Sequence, residues 1–201
     1  MIDRCCGRAL AMLLLVLGLS ACGGVSQIPE DSFYRLDVAS PAAAETRFLG
    51  DASVTVQAVA AVPLYRDRAL LYSEAAMPER LRRYHYHYWV DRPPALLQRG
   101  FADYLRAAGA AGRVVTADQS MDVDYRVRLV LERFEHQRDT RGGRVLVGWR
   151  LEVTELRSGR LLREDRLQAE ADVRGEDFSA VTGAYARAVS ELYGRSLDAL
   201  R

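Results

Sequence analysis

Three long runs of period-two alternation between positions 123 and 173 limit what this chain can fold into more than any other feature. Val123, Tyr125, Val127, Leu129 and Leu131 recur at every second position, and so do Val145, Val147, Trp149, Leu151 and Val153. Leu161, Leu167, Ala169, Ala171 and Val173 make a weaker third set. Successive side chains of a strand point to opposite faces, so each set is the buried side of a half-exposed strand. Arg141-Gly142-Gly143 and Ser158-Gly159 lie between the runs and carry the residues that tight turns need. The pattern predicts a three-stranded antiparallel meander.

The rest of the chain adds two helices and shorter strands. Phe33 to Asp37 reads as a first strand, and Ala39 to Gly50 as a loop. Val54, Val56, Ala58, Ala60 and Val62 alternate along a second strand that Pro63 stops. Ala69 to Ser73, Tyr84 to Trp89 and Val114-Val115 are further strand candidates. Pro93-Pro94 opens a helix, where a missing N–H costs nothing, and Gly109 ends it. Leu97, Phe101, Tyr104, Leu105 and Ala108 give that helix its apolar face. Asp177 caps a last helix with Phe178, Val181, Tyr185, Ala188 and Leu192 on one side. The expected fold is an α/β domain. In detail it is a three-layer α/β/α arrangement with one helix on each face of a mixed sheet, a C-terminal antiparallel meander and a C-terminal helix.

The N-terminus has a different character. Arg4 and Arg8 precede the apolar run from Ala9 to Leu19, which is too short to span a bilayer. Leu19-Ser20-Ala21-Cys22 then matches the small-residue site at which a lipoprotein signal peptidase cuts. We read residues 1–21 as a signal peptide, 22–31 as a lipidated tether and 32–201 as the domain. Acylation of Cys22 fixes the domain to a membrane, because each buried methylene adds about 0.8 kcal/mol. The tether reaches at most about 30 Å. Gly23 follows the cysteine where an aspartate usually retains a lipoprotein at the inner membrane, so the outer membrane is favoured. Cys5 and Cys6 fall within the signal, leaving the domain without a thiol for disulfides, catalysis or metal ligation.

Charge excludes one class of partner. The chain has 28 basic and 27 acidic residues, and the domain and tether balance once Asp3, Arg4 and Arg8 are set aside. A nucleic-acid binder needs a strongly basic face. Every basic residue is an arginine, which reflects a GC-rich genome and lowers the information in any one of them.

Catalytic constellations are not found in the sequence. It has no Gly-x-Ser-x-Gly elbow, and no Gly-Lys-Ser/Thr follows Arg141-Gly142-Gly143. Asp122 and Asp124 share a strand face and read as its solvated side. His85 and His87 project from the same face of a strand, and His136 is the third histidine, but no carboxylate cluster accompanies them. No metal, cofactor or catalytic residue is assigned. Two stretches are candidates for binding instead. One is the aromatic strand with Tyr84, Tyr86, Tyr88 and Trp89, leading into Pro93 and Pro94; alternation places the three tyrosines together, opposite the histidines. The other is Val59 to Tyr65, readable as a loop lip or a buried strand end.

The order of these motifs carries a resemblance. A lipobox, Phe33-Tyr34-Arg35-Leu36, Val62-Pro63, and Tyr84-x-Tyr-x-Tyr-Trp89 with Asp91 and Pro93-Pro94 behind it resemble the ABC-type transport auxiliary lipoproteins, a Pqi- and Mla-like family. The family's Trp-x-x-Pro-Pro spacing has one extra residue here. The resemblance implies a non-enzymatic, three-layer α/β domain at the periplasmic face of the outer membrane. Its partners would be an MCE-domain substrate-binding protein with its permease and ATPase, its cargo phospholipid or another hydrophobic molecule, and its assembly a homo-oligomeric ring. A lipid-binding carrier is the alternative, and an envelope hydrolase a more distant one. Cys22→Ser is expected to abolish incorporation of radiolabelled palmitate and to release the protein from the membrane fraction.

Overall fold

The structure, a computed structural model, describes residues 29–41, 49–116, 122–175 and 177–200. The lipobox, Cys22 and most of the loop expected before Gly50 lie outside these residues. Residues Asp31–Arg201 form one compact unit. In chain order its elements are β1 (Ser32–Tyr34), β2 (Ser53–Val56), β3 (Ala60–Ala61), a 3-10 turn (Pro63–Arg66), β4 (Ala69–Glu74), β5 (Met77–Trp89), α1 (Pro93–Ala107), β6 (Arg113–Thr116), β7 (Tyr125–Arg138), β8 (Arg144–Glu155), β9 (Arg160–Asp172) and α2 (Phe178–Asp198). No helix among the described residues is long and apolar enough to cross a membrane.

The strands form one mixed sheet, as the alternation predicts. β7, β8 and β9 are the antiparallel meander, with Leu131 opposite Trp149 and Trp149 opposite Leu167. The other edge of β7 pairs in parallel with β2, β3 and β4 in turn. β6 lies beyond β2, while β5 and then β1 lie beyond β4. Val145, Val147, Trp149, Leu151 and Val153 are all buried. In the weaker third set Ala169 and Val173 are buried, while Leu161 is 49% exposed at the hairpin end.

One strand is shorter than expected. Val56 pairs with Val127, but Ala60 pairs with Val130, so β2–β3 holds one more residue than β7 over the same span. A single inserted residue inverts every later side chain. Ala58 and Val62 therefore face solvent, and Val59 and Ala61 take the buried positions. A second shift in β7, between Leu131 and Arg133, places Phe134 and His136 on the helix side of the sheet.

The helix ends follow the signals in the sequence. Pro93 is buried at the start of α1, and Gly109 follows its end at φ +63°. Asp177 accepts a hydrogen bond from the Ala180 N–H at 2.8 Å, which caps α2. The α/β class holds, but the layering differs from the expected three layers with one helix per face: the two helices meet each other on the same side of the sheet. Tyr193 of α2 stacks within 5.1 Å of Phe101 of α1 and within 5.6 Å of Trp149 of β8. Its hydroxyl donates to the Leu97 carbonyl at 2.9 Å, and the Trp149 Nε1–H donates to Ser196 Oγ at 3.1 Å. Gly100 lets the helices approach, because a Cβ there would lie 2.9 Å from the Tyr193 hydroxyl. Over the meander the opposite face carries an ion-pair ladder of Arg128–Glu152, Arg150–Glu164 and Arg166–Glu132 at 2.8–3.3 Å.

These two faces differ in energetic weight. Phe101→Ala leaves a cavity between the helices and is expected to lower unfolding free energy by about 3–5 kcal/mol. Arg128→Ala removes an exposed pair and should change it by less than about 1 kcal/mol. Urea unfolding followed by tryptophan fluorescence measures both.

Candidate functional site

The aromatic strand does not stay regular, and its irregularity builds the surface. Ala69 of β4 pairs with Tyr88, whereas Leu71 pairs with Arg83, so the segment between Arg83 and Tyr88 bulges out of the ladder. At its centre Tyr86 has φ +64°, the left-handed region that L residues enter at a cost of roughly 1–2 kcal/mol. This breaks the alternation and corrects the expected stripe. Tyr84 and Tyr88 do not share a face, and His87 packs beside Tyr84 on Phe178 rather than opposite it.

Each residue of the stripe acquires a separate setting. Tyr84 and His87 both pack on Phe178 of α2, with ring centroids 4.8 and 3.4 Å away. Tyr86 is half-buried, with its ring 6.3 Å from that of His85. Tyr88 turns the other way, towards Phe33 of β1 at 5.8 Å. Trp89 is buried in the core against Phe134 and Tyr185. Pro93 is buried and Pro94 half-buried beside a cavity of ≈ 220 Å³. As for the Val59–Tyr65 stretch, Val59 and Tyr65 are buried, and Val62 is 55% exposed.

The break in β5 leaves two clefts. The first, ≈ 590 Å³, brings together His85, His87 and His136 with Tyr84, Arg138 and Phe178. His136 is buried and held at both nitrogens. Nε2–H donates to the Gly142 carbonyl at 2.7 Å, and Nδ1 accepts from the Tyr84 hydroxyl at 2.8 Å. A carbonyl only accepts, so Nε2 carries a proton, while the Tyr84 hydroxyl can pair with Nδ1 in either protonation state and burial favours the neutral ring. Burial accordingly holds the His136 pKa below the ordinary histidine value, against a smaller opposing effect of the Gly142 carbonyl. Burial also lowers His87, whose Nδ1 lies 2.8 Å from the Tyr34 hydroxyl, and raises Tyr84. Both nitrogens of His136 and Nδ1 of His87 are committed to protein partners. Among the described residues no group of three or more histidine, cysteine and acidic side chains is placed to hold a metal.

The second cleft, ≈ 620 Å³, lies around Tyr88 and Phe33. It is lined by Arg66, Arg68, Arg83 and Arg92 together with Asp31 and Asp67. In a chain whose basic residues are all arginine, these four do not stand out from composition. The signal available was local, since Arg66-Asp67-Arg68 follows Val62-Pro63 after only Leu64 and Tyr65, but Arg83 and Arg92 join them only through the fold.

A mixed sheet backed by two touching helices, with polar and aromatic clefts beside one irregular strand, defines an α/β domain. The chain belongs to the ABC-type transport auxiliary lipoprotein component family, whose model matches residues 34–195. No curated protein matches the sequence. Among solved structures the fold is similar to XCC0632 from Xanthomonas campestris, with TM-score 0.71 and 14% identity over 82% of this chain and 91% of that one. It is also similar to an uncharacterized protein at TM-score 0.69 and 14% identity, over 86% of this chain and 100% of that one. A more distant likeness, TM-score 0.43 at 18% identity, is to PelC from Paraburkholderia phytofirmans, over 78% of this chain and 93% of that one. At 14% identity the first two likenesses speak for fold alone.

The histidine setting gives a pH dependence. With the folded pKa of His136 depressed, the unfolded chain binds the extra proton first. Stability is therefore full above the unfolded value of about 6.5 and falls as pH drops below it. The urea midpoint is expected to decrease between pH 7 and pH 5, and to decrease less in His136→Gln.

Proposed function

We propose that this chain is a lipid-anchored auxiliary subunit of an envelope ABC-type transporter, held through Cys22 at the periplasmic face of the outer membrane. It docks an MCE-domain substrate-binding protein of the Mla or Pqi type, and the permease and ATPase of that system supply the energy. Its work is contact rather than catalysis, and its cargo phospholipid or another hydrophobic molecule passes to or from that assembly. A ring of identical subunits is the arrangement in which such a docking end surrounds a path for cargo.

The observation that carries this reading is the family match across residues 34–195, nearly the whole of the described domain. The clefts support docking over carriage. A carrier shields acyl chains in a deep apolar cavity, whereas the clefts beside β5 are lined by Arg66, Arg68, His136 and Arg138. Contact surfaces of this kind combine aromatic side chains with arginine.

A photo-crosslinking residue placed at His85 or His87 in the intact cell is expected to trap an MCE-domain protein. The same residue at Leu161, at the far hairpin, is expected to trap much less. Recovery of no MCE-domain protein from either β5 position ends the docking reading.

A further inference from the structure

The arginine cleft is more specific than a general docking surface. Four guanidinium groups converge there, from the 3-10 turn (Arg66), the loop after it (Arg68), β5 (Arg83) and the residue before α1 (Arg92). Two carboxylates, Asp31 and Asp67, accompany them. Asp67 is already engaged: it pairs with Arg83 at 3.0 Å and accepts the Ala69 N–H at 3.3 Å. Arg66 spends its Nε–H on the Ala61 carbonyl at 2.7 Å, which orients the group, and Arg68 lies 5.1 Å over the Phe33 ring. The cleft thus holds a net positive charge in a chain that is otherwise almost balanced.

Three apolar side chains lie on or beside it. Phe33 is 52% exposed within the cleft, Val62 55% exposed before Pro63, and Val90 42% exposed between Tyr88 and Arg92. Elsewhere the large apolar side chains exposed among the described residues are Met77, Leu161 and Leu162, at hairpin ends. The chain also enters the compact unit at this place. Asp31, its first residue, itself lines the cleft. Only nine positions separate it from Cys22.

We propose that this face lies on an acidic phospholipid leaflet, with Arg66, Arg68, Arg83 and Arg92 on lipid phosphates and Phe33, Val62 and Val90 in the interface. The leaflet is the one that holds the anchor, so this rests on the acylation of Cys22 for its place in the cell, though not for its chemistry. Guanidinium groups bind phosphate oxygens through paired N–H donors, and basic residues beside exposed apolar ones favour anionic interfaces. A tether of about 30 Å at most, leaving from the cleft, brings this face to the headgroups before any other. The short tether then orients the domain, leaving the histidine cleft on the other side of β5 for protein contact.

The test uses the mature chain beginning at position 22 with Cys22→Ser, so that no acyl chain contributes. Flotation is measured with vesicles of phosphatidylcholine alone and with vesicles containing about 30 mol per cent phosphatidylglycerol. Binding is expected only to the anionic vesicles, and is expected to be lost at high salt, where charges are screened. Arg68→Ser with Arg92→Ser should weaken it at least about tenfold. Arg68→Lys with Arg92→Lys should keep most of it, and Arg160→Ser with Arg163→Ser at the far hairpin should leave it unchanged. Circular dichroism melts of each variant establish that it is folded. Equal binding to both vesicle types, no binding to either, or anionic binding indifferent to Arg68 and Arg92 overturns the proposal. Trapping of the MCE-domain protein by a photo-crosslinker at Arg68 in the cell also overturns it, because the face would then belong to that protein. A failure of palmitate to label Cys22 removes the anchor but not the vesicle result, so the two claims fail separately.

Discussion

A central strand that must satisfy hydrogen bonds on both edges organises this domain. β7 runs for 14 residues, long enough to give one edge wholly to β8 and to divide the other among β2, β3 and β4. Unpaired backbone groups in a buried strand cost as much as lost hydrogen bonds, so every segment against β7 is held in register. The sheet forks there, with β2 and β6 on one branch and β4, β5 and β1 on the other. The helices follow from the fork. α1 crosses to the β2–β6 branch, α2 packs over β8 and β9, and Tyr193 joins the two helices and Trp149 in one aromatic contact.

The surface depends on how that order is broken. A left-handed Tyr86 in the middle of a long strand is strained, and it persists because its neighbours fix it on both sides. Trp89 is locked in the core, with its N–H donating to the Arg68 carbonyl at 2.7 Å, and Tyr84 is held by His136 and Phe178. Between those fixed points the chain changes face once. The outcome is a division of labour along a few residues: Tyr84 and His87 towards α2, Tyr88 and Phe33 towards the arginine cleft. Both clefts owe their lining to this single conformational change.

How much of this was legible depended on whether periodicity persisted. The meander, both helices, the Asp177 cap and the Gly109 stop each rest on residues close together in sequence, and all are found where the pattern placed them. The errors share one origin. At Ala58–Val62 every residue is apolar, and at Tyr84–Tyr88 tyrosine and histidine alternate without interruption, so neither stretch marks where the backbone inserts residues and the faces exchange. A bulge carries no obligatory residue when the left-handed position is taken by a tyrosine instead of a glycine. Nor could composition single out Arg66, Arg68, Arg83 and Arg92 among so many arginines, because only their convergence from four elements distinguishes them.

By itself the sequence determined the class of domain, its α/β content and its family, because alternation, helix caps and motif order are local and survive any particular packing. It also determined that the three cysteines, at positions 5, 6 and 22, all precede the domain. Tertiary structure alone decided which side chains face one another: that both helices share a face, that His136 is buried with both ring nitrogens bonded, and that the arginines gather around Phe33. The physical reason is that strand phase and long-range register are set by competition for hydrogen bonds and burial across the whole sheet. A one-residue slip in that competition leaves the local pattern intact while moving every later side chain to the opposite surface.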